Sequence, residues 1–514
     1  MAETTSTTGG MQRTLGLTGV TMNAMALIAP GAFLWITMQL QAANTGGTTD
    51  MWTGIVVALI IALLTAFSFA ELARKYPDAG TGGSYYFAEK AFLDRDEPRH
   101  QRFARIAKFI TGWAAHLFYW VYPGVMVSFM ALIITYILGQ FGITLPLVGQ
   151  IVVAVLFAIL VGFIAVRGIS GSTNINIAMN VIQLTALVGF SILAIIFRLT
   201  NPLGASQWAH PNAISVVTPH DLAGMLFQST IAILILVGFE SATSLAAEAK
   251  NPKRDIPRAV ILSLIIQGLF AYLLEYFAAN YAVSEKLVGT ATDGSAVTGM
   301  AAVAASGAPI GDMVRLMGDA LLGGNGFALM IILSITVVFA ILGTTLAALN
   351  TAVRISFAMA QDKEMPDVMG LLHGKYATPH VGIWIMVAVC AVIGSVGLIN
   401  VTALTGTTLA SNIGTFVLYA VICGVTFVSF AGRAEFHSVK HAIIPLLGII
   451  GNVGMLLAIL VIGLTTGGVS TQATIMAIGI TVGWGLISVA YLAYNSRKQG
   501  KPIIASIPSA ASGD

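Results

Sequence analysis

The sequence predicts an all-α polytopic membrane protein with twelve transmembrane helices, and three observations carry that prediction. Hydrophobic residues fill 57% of the 514 positions and charged residues only 9%, with a mean hydropathy of +0.87. No soluble domain of this size has that balance. Charge-poor runs of about 20 residues, long enough to cross a bilayer as helices, recur along the whole chain. Two of these runs, the first and the sixth, are interrupted halfway by residues that break helices.

The spans run approximately over 15–39, 51–73, 109–138, 147–166, 173–197, 223–247, 258–280, 327–353, 381–398, 403–430, 442–465 and 472–494. An even number puts both termini on one side. Of the 25 Lys and Arg residues, only Arg198, Lys286 and Arg315 fall in the other set of loops. The positive-inside rule then places both termini in the cytoplasm of a multi-pass protein of the cytoplasmic (inner) membrane. The net charge of +3 reflects topology, so no nucleic-acid partner is expected. Cys390 and Cys423 both lie in apolar runs, which argues against a disulfide framework or a paired-cysteine metal site. The N-terminus, MAETTSTTGG, lacks a signal peptide's basic start and cleavage site, so no removal is expected.

The stretch AGMLFQSTIAILILVGFESATSLAAEAKNPKRDIPRA, Ala223 to Ala259, organises the rest. An unpaired carboxylate in hydrocarbon is costly, and unsatisfied backbone is tolerated only where it lines a cavity. Gly238-Phe239-Glu240 therefore reads as a helix interruption facing a site. Ala29-Pro30-Gly31 gives the first span a matching break; the plainer reading there is a proline kink. Two breaks five helices apart predict inverted repeats over 15–198 and 221–430. Spans eleven and twelve (440–495) stand outside them, and 1–14 and 496–514 form cytoplasmic tails.

Other residues stand out against the apolar background. Glu71 beside Arg74 and Lys75 reads as a cytoplasmic ion pair. The glycines of 79–85 lack the preceding strand and following Lys-Ser/Thr of a phosphate loop. His116 is expected to be a hydrogen-bonded interior histidine in preference to a proton shuttle. Glu275, near the outer end of the seventh span, is expected to snorkel to water. Thr344 and Thr345 either back-bond within the eighth helix or offer a hydroxyl to sodium together with carbonyls freed by the first break. The loop 281–326 contains GDMVRLMGDALLGG, patterned as a short surface helix over the outer vestibule.

Taken together, FAELARKYPDAGTGGSYYFAEKAF at 69–92, GFESATSLAAEAKNPKRDIPRAV at 238–260, and NTAVRISFAMAQDKEMP at 350–366 with Thr378-Pro379 resemble the amino acid–polyamine–organocation (APC) superfamily of permeases, from Leu15 to about Tyr494. The resemblance implies a LeuT-like five-plus-five fold with discontinuous helices one and six, and alternating access about a midplane site. It implies substrate contacts from Ile28, Ala29, Gly31, Ala32, Phe33, Tyr119, Ile235, Leu236, Gly238, Phe239 and Glu240. The coupling positions it implies are Thr344, Thr345, Gln183 and Glu240, for a proton or a sodium ion.

The chain departs from the family's pattern at three places. Ala29 and Pro30 replace a small, hydrogen-bonding pair, Ile233–Leu236 is aliphatic where many members place an aromatic gate, and Gln183 stands where some proton-coupled members carry lysine. The sequence thus predicts a secondary transporter of amino acids, with polyamines or other organic amines as the alternative. A channel would need a polar ring along a continuous pore. No metal pair, nucleophile elbow or cofactor fingerprint marks an enzyme. No cofactor is expected; the partners are a small-molecule substrate and the lipid bilayer, with the chain a monomer or homodimer.

Overall fold

The computed structural model describes residues 13–28, 31–44, 50–77, 82–94, 103–168, 173–246, 248–376 and 378–500. Among these, eleven helices are long and apolar enough to cross a membrane, beginning with Met51–Lys75 and ending with Gly468–Lys498. The first expected span is present as two shorter helices, Leu17–Ile28 and Ala32–Asn44. The third span, Ala104–Gln140, forms the centre. It packs against the eighth (Gly326–Gln361), ninth (His380–Gly397) and tenth (Val401–Phe430). Its middle, Trp113 to Ala131, is buried throughout. Close approach there needs small residues: a side chain at Gly414 would stand 2.7 Å from the Phe118 amide nitrogen.

The sixth span departs from the expected α-helix. It is α-helical over Leu222–Ala232, passes through a tight turn at Ile233–Ile235, and continues after Gly238 as a 3₁₀ winding, Phe239–Leu245. The sequence explains the winding. The hydroxyls of Ser241, Thr243 and Ser244 donate to the carbonyls three residues before them, Gly238, Glu240 and Ser241, at 2.6–2.7 Å. Side-chain bonds of this kind compete with the α-helical ladder. The chain then turns back, and Lys250 and Leu15 exchange backbone bonds with Leu15 and Glu248 at 2.8 and 3.0 Å. The end of the sixth span is thereby tied to the start of the first.

The loop 281–326 is more built than expected. It holds a hairpin of Val288–Thr290 and Ala296–Thr298, a short helix Met300–Ala305, and a longer helix Pro309–Leu321. The last was expected at the surface. Its apolar face, Ile310, Met313, Val314 and Met317, is instead buried, because the eighth span and the second half of the first pack beneath it.

A polar cluster gathers where the third span begins. Lys108, only 1% exposed, pairs with Glu89 at 2.6 Å and Asp362 at 2.7 Å, and its ammonium lies over the rings of Tyr85 and Tyr86. Tyr85 donates to the same Asp362 oxygen at 2.9 Å. The cluster fastens the short helix Ser84–Leu93 to the end of the eighth span. Beside it, burial pushes the Glu364 carboxyl up to about 7, against the offsetting attraction of Lys108. A carboxyl raised in the folded state holds its proton where the unfolded chain releases it. Stability therefore falls as pH rises from about 4.5 to about 7. Glu364→Gln is expected to flatten that slope in thermal unfolding and to gain ~1–3 kcal/mol at neutral pH. Parallel pH curves for parent and variant would remove Glu364 from this role.

Candidate functional site at two helix interruptions

The first and sixth spans meet where each loses regular helix. Gly238 has φ +122°, in a region that favours glycine, and Gly31 has φ +87°. A side chain at Gly238 would lie 3.0–3.1 Å from Ile28 Cγ1, the Ile28 amide nitrogen and Leu27 Cβ, so the two backbones touch here. Ala29 and Pro30 lie outside the described residues, as do the side chains of Ala32 and Phe33. The backbone of Ala32 opens the second half-helix. Ile28, Ile235, Leu236 and Phe239 are completely buried around the junction.

Carbonyls at the end of the first half-helix have lost their helical partners, and side chains satisfy them. The Leu27 carbonyl accepts the Thr344 hydroxyl at 2.5 Å and the Tyr122 hydroxyl at 3.2 Å. The Ile28 carbonyl accepts Tyr272 at 3.0 Å, and the Met25 carbonyl accepts Gln267 Nε2 at 2.9 Å. Thr344 thus reaches across to the first span. Thr345 instead donates to Ile341, one turn back in its own helix, at 2.6 Å. The adjacent threonines, paired in the sequence reading, serve different helices.

Glu240 is the charged residue of the junction. Its Oε1 accepts the Tyr119 hydroxyl at 2.8 Å; its Oε2 accepts the Tyr419 hydroxyl at 2.8 Å and the Gly238 amide at 3.0 Å. The carboxylate closes the loose backbone at the break, as a capping residue does, and anchors the third and tenth spans to the sixth. Phe69, Phe239 and Tyr419 form an aromatic wall on one side, with ring centroids 5.4–6.1 Å apart. An ammonium could reach Glu240 only by sharing an oxygen with one of these donors.

The remaining expected residues fall into three groups. Glu71 pairs with Arg74 at 3.2 Å, and His441 Nε2 lies 3.5 Å from it, as the ion-pair reading anticipates. His116 is a bonded interior histidine, with Nδ1 2.8 Å from the Gly112 carbonyl and Nε2 2.9 Å from Ser356 Oγ. Glu275 overturns its expectation. It does not snorkel, since its exposure is 0% and no described residue bonds either oxygen. It points inward because its helix packs on the second and fifth spans. Gln183 shares a small cavity with it, beside Gly31.

Sequence reasoning missed Tyr419, Tyr272, Gln267 and Lys108. A signal was available for the first three, since each is a polar-tipped side chain inside an apolar span, where such groups seek partners across helices. Lys108 carried a weaker one, being a single cation at a span boundary.

Comparison with known proteins agrees with this geometry. A family model described as "Amino acid permease" matches residues 13–487. The methylthioribose transporter of Bacillus subtilis (strain 168) is 22% identical over 80% of each chain. The branched-chain amino acid permease BcaP of the same organism is 23% identical over 76% of each. The low-affinity putrescine importer PlaP of Escherichia coli (strain K12) is 24% identical over 83% of this chain and 81% of that one.

Proposed function

The chain belongs to the amino acid permease family, and from that premise we propose that it moves amino acids across the cytoplasmic membrane by alternating access about the junction of the first and sixth spans. The family is one of permeases, not enzymes, and the protein is a multi-pass membrane protein. The observation that carries the site is the direct contact of Gly238 with Leu27 and Ile28. Half-helix ends pointing at one place bring amides that favour a carboxylate and carbonyls that favour an ammonium. In this reading Ile28, Ala29, Gly31, Ala32, Phe33, Tyr119, Ile235, Leu236, Gly238, Phe239 and Glu240 surround the substrate. The side-chain bonds now held by the Leu27 and Ile28 carbonyls open in the loaded state.

The topology belongs to the same proposal. Repeats over 15–198 and 221–430 rock against each other, both termini lie in the cytoplasm as the distribution of Lys and Arg favours, and the unit is a monomer or homodimer. An organic amine is the second reading. Glu240 at the break favours it, and a relative that imports putrescine shows that this kind of cargo occurs among similar chains. Coupling is to a proton or to sodium, the latter at Thr344 and Thr345.

The test is counterflow in proteoliposomes, using labelled L-leucine, L-methionine and putrescine as separate cargoes. Saturable accumulation of one of them against its unlabelled form is expected. Non-saturating flux would mean a channel, and no flux of any of the three would refute the proposed cargo classes. Replacing sodium by lithium or potassium without effect would remove the sodium version.

A further inference from the structure

The seventh span carries a feature that neither the substrate junction nor helix packing uses. Between two α-helical parts, Pro252–Leu264 and Leu273–Ala282, it holds an eight-residue π-helical stretch, Ile265–Tyr272. Such widened turns recur at functional sites because they re-aim side chains. Here the stretch aims two donors at the broken end of the first span, Gln267 at the Met25 carbonyl and Tyr272 at the Ile28 carbonyl. Less than a turn further along stands Glu275. Its carboxyl lines a cavity together with Gly31, Trp35, Gln183 and Thr336, within otherwise apolar walls. About 10 Å³ of that cavity admits the centre of a water-sized sphere, roughly what one water requires.

A buried carboxylate is normally paired or hydrogen-bonded. Glu275 has neither kind of partner among the described residues, and Gln183 Oε1 in the same cavity also has none. Titratable groups on the elements packed around it do not supply one. Tyr272 and Tyr276, on its own span, donate to the Ile28 carbonyl and to Gln41 Oε1. Arg198 of the fifth span donates to the carbonyls of His210 and Pro211 and lies over the Trp208 ring. On the second span, Glu71 and Arg74 pair with each other, and Lys75 donates to the Ser429 carbonyl. Asp50, capping that span, accepts from the amides of His220 and Asp221; Asp312, near the cavity wall, accepts from Tyr136 and Ser306. A proton on Glu275 would satisfy the group: one oxygen becomes a donor, and Gln183 Oε1 is an acceptor in the same cavity. A sodium ion would need about six oxygen ligands, and the cavity's remaining lining is largely hydrocarbon.

Resting on the transporter reading above, we propose that Glu275 and Gln183 form the proton site of this permease, with Glu275 carrying the proton. Gly31 and Trp35 connect the site to the second half of the first span, whose displacement opens the cavity to water and releases the proton. Tyr272 connects it to the Ile28 carbonyl at the substrate junction. Proton and substrate then act on one moving element, so each must change the other's affinity by the same factor.

Infrared difference spectroscopy of the full chain in lipid, parent against E275Q, tests the site without any substrate. At neutral pH the parent is expected to show a protonated-carboxyl band that E275Q lacks and E240Q keeps. Identical parent and E275Q spectra from acid to neutral pH would overturn the proposal. If E275Q fails to insert, E275D replaces it, with a shifted band expected and an unshifted one counting against the site. Proteoliposomes supply the second readout. With labelled L-leucine, an acid-outside gradient is expected to stimulate uptake by the parent, whereas E275Q keeps counterflow and loses the stimulation. Stimulation retained in E275Q would refute the site and leave the transport function standing. A carboxyl band without L-leucine counterflow would do the reverse.

Discussion

Gly238→Leu is expected to abolish transport while the chain still inserts. The position has φ +122° and lies 3.0–3.1 Å, measured from a built Cβ, from side-chain and backbone atoms of Leu27 and Ile28. The backbone conformation alone costs a non-glycine residue about 1–3 kcal/mol. The remaining three carbons of leucine must then enter the seam between the first and sixth spans, where Ile28, Leu236 and Phe239 leave no exposed surface. The half-helices would be held apart at the point where they are proposed to grip substrate. Gly31→Leu is expected to be milder. A Cβ there meets only the Leu187 side chain, at an ordinary 3.5 Å, so backbone strain is the main cost. Counterflow at matched protein per vesicle measures both, and monodisperse elution reports folding. Parental uptake by Gly238→Leu would place the substrate elsewhere in the bundle.

The membrane class, the run of spans and the two weak points of the first and sixth were legible because each is a local property of the chain. Hydropathy marks the spans; glycine, proline and an out-of-place carboxylate mark the interruptions. Partner choice across the bundle was not legible. Glu240 could be found from its isolation in the sixth span, but Tyr419, which bonds it, is nearly 180 residues away and looks like any interfacial tyrosine. Thr344 and Thr345 are indistinguishable as sequence, and only the rotation of the eighth helix sends one hydroxyl to Leu27 and the other to Ile341. Glu275 shows the same limit from the other side. Its position near a span end suited snorkelling, yet the π-helical stretch before it and the packing of the fifth span turn it inward. The 3₁₀ winding after Gly238 was written in Ser241, Thr243 and Ser244, although hydroxyls at that spacing also occur in regular helices.

Glu240→Gln is expected to lower the transport rate roughly tenfold or more, about 1.4 kcal/mol or more on the barrier, with normal insertion. The amide keeps the side chain's shape and leaves one oxygen to accept. It removes the charge that three donors, Tyr119, Tyr419 and the Gly238 amide, now share. Hydrogen bonds to a charged group are about twice as strong as neutral ones, so the junction loosens even where its geometry survives. Removing single donors separates the two roles open to this residue. Tyr119→Phe and Tyr419→Phe each delete one bond and retain the charge. If Glu240 only caps the break, the two phenylalanine variants and Glu240→Gln should lose thermal stability by similar amounts and keep the parent's affinity and pH profile. If its charge takes part in loading, Glu240→Gln alone should lose affinity for cationic cargo or flatten the pH profile, while the phenylalanine variants keep both. The second pattern is expected, because the carboxylate lies at the one place where the first and sixth spans touch through a glycine. A Glu240→Gln protein with the parent's rate, affinity and pH profile would reduce this residue to a cap.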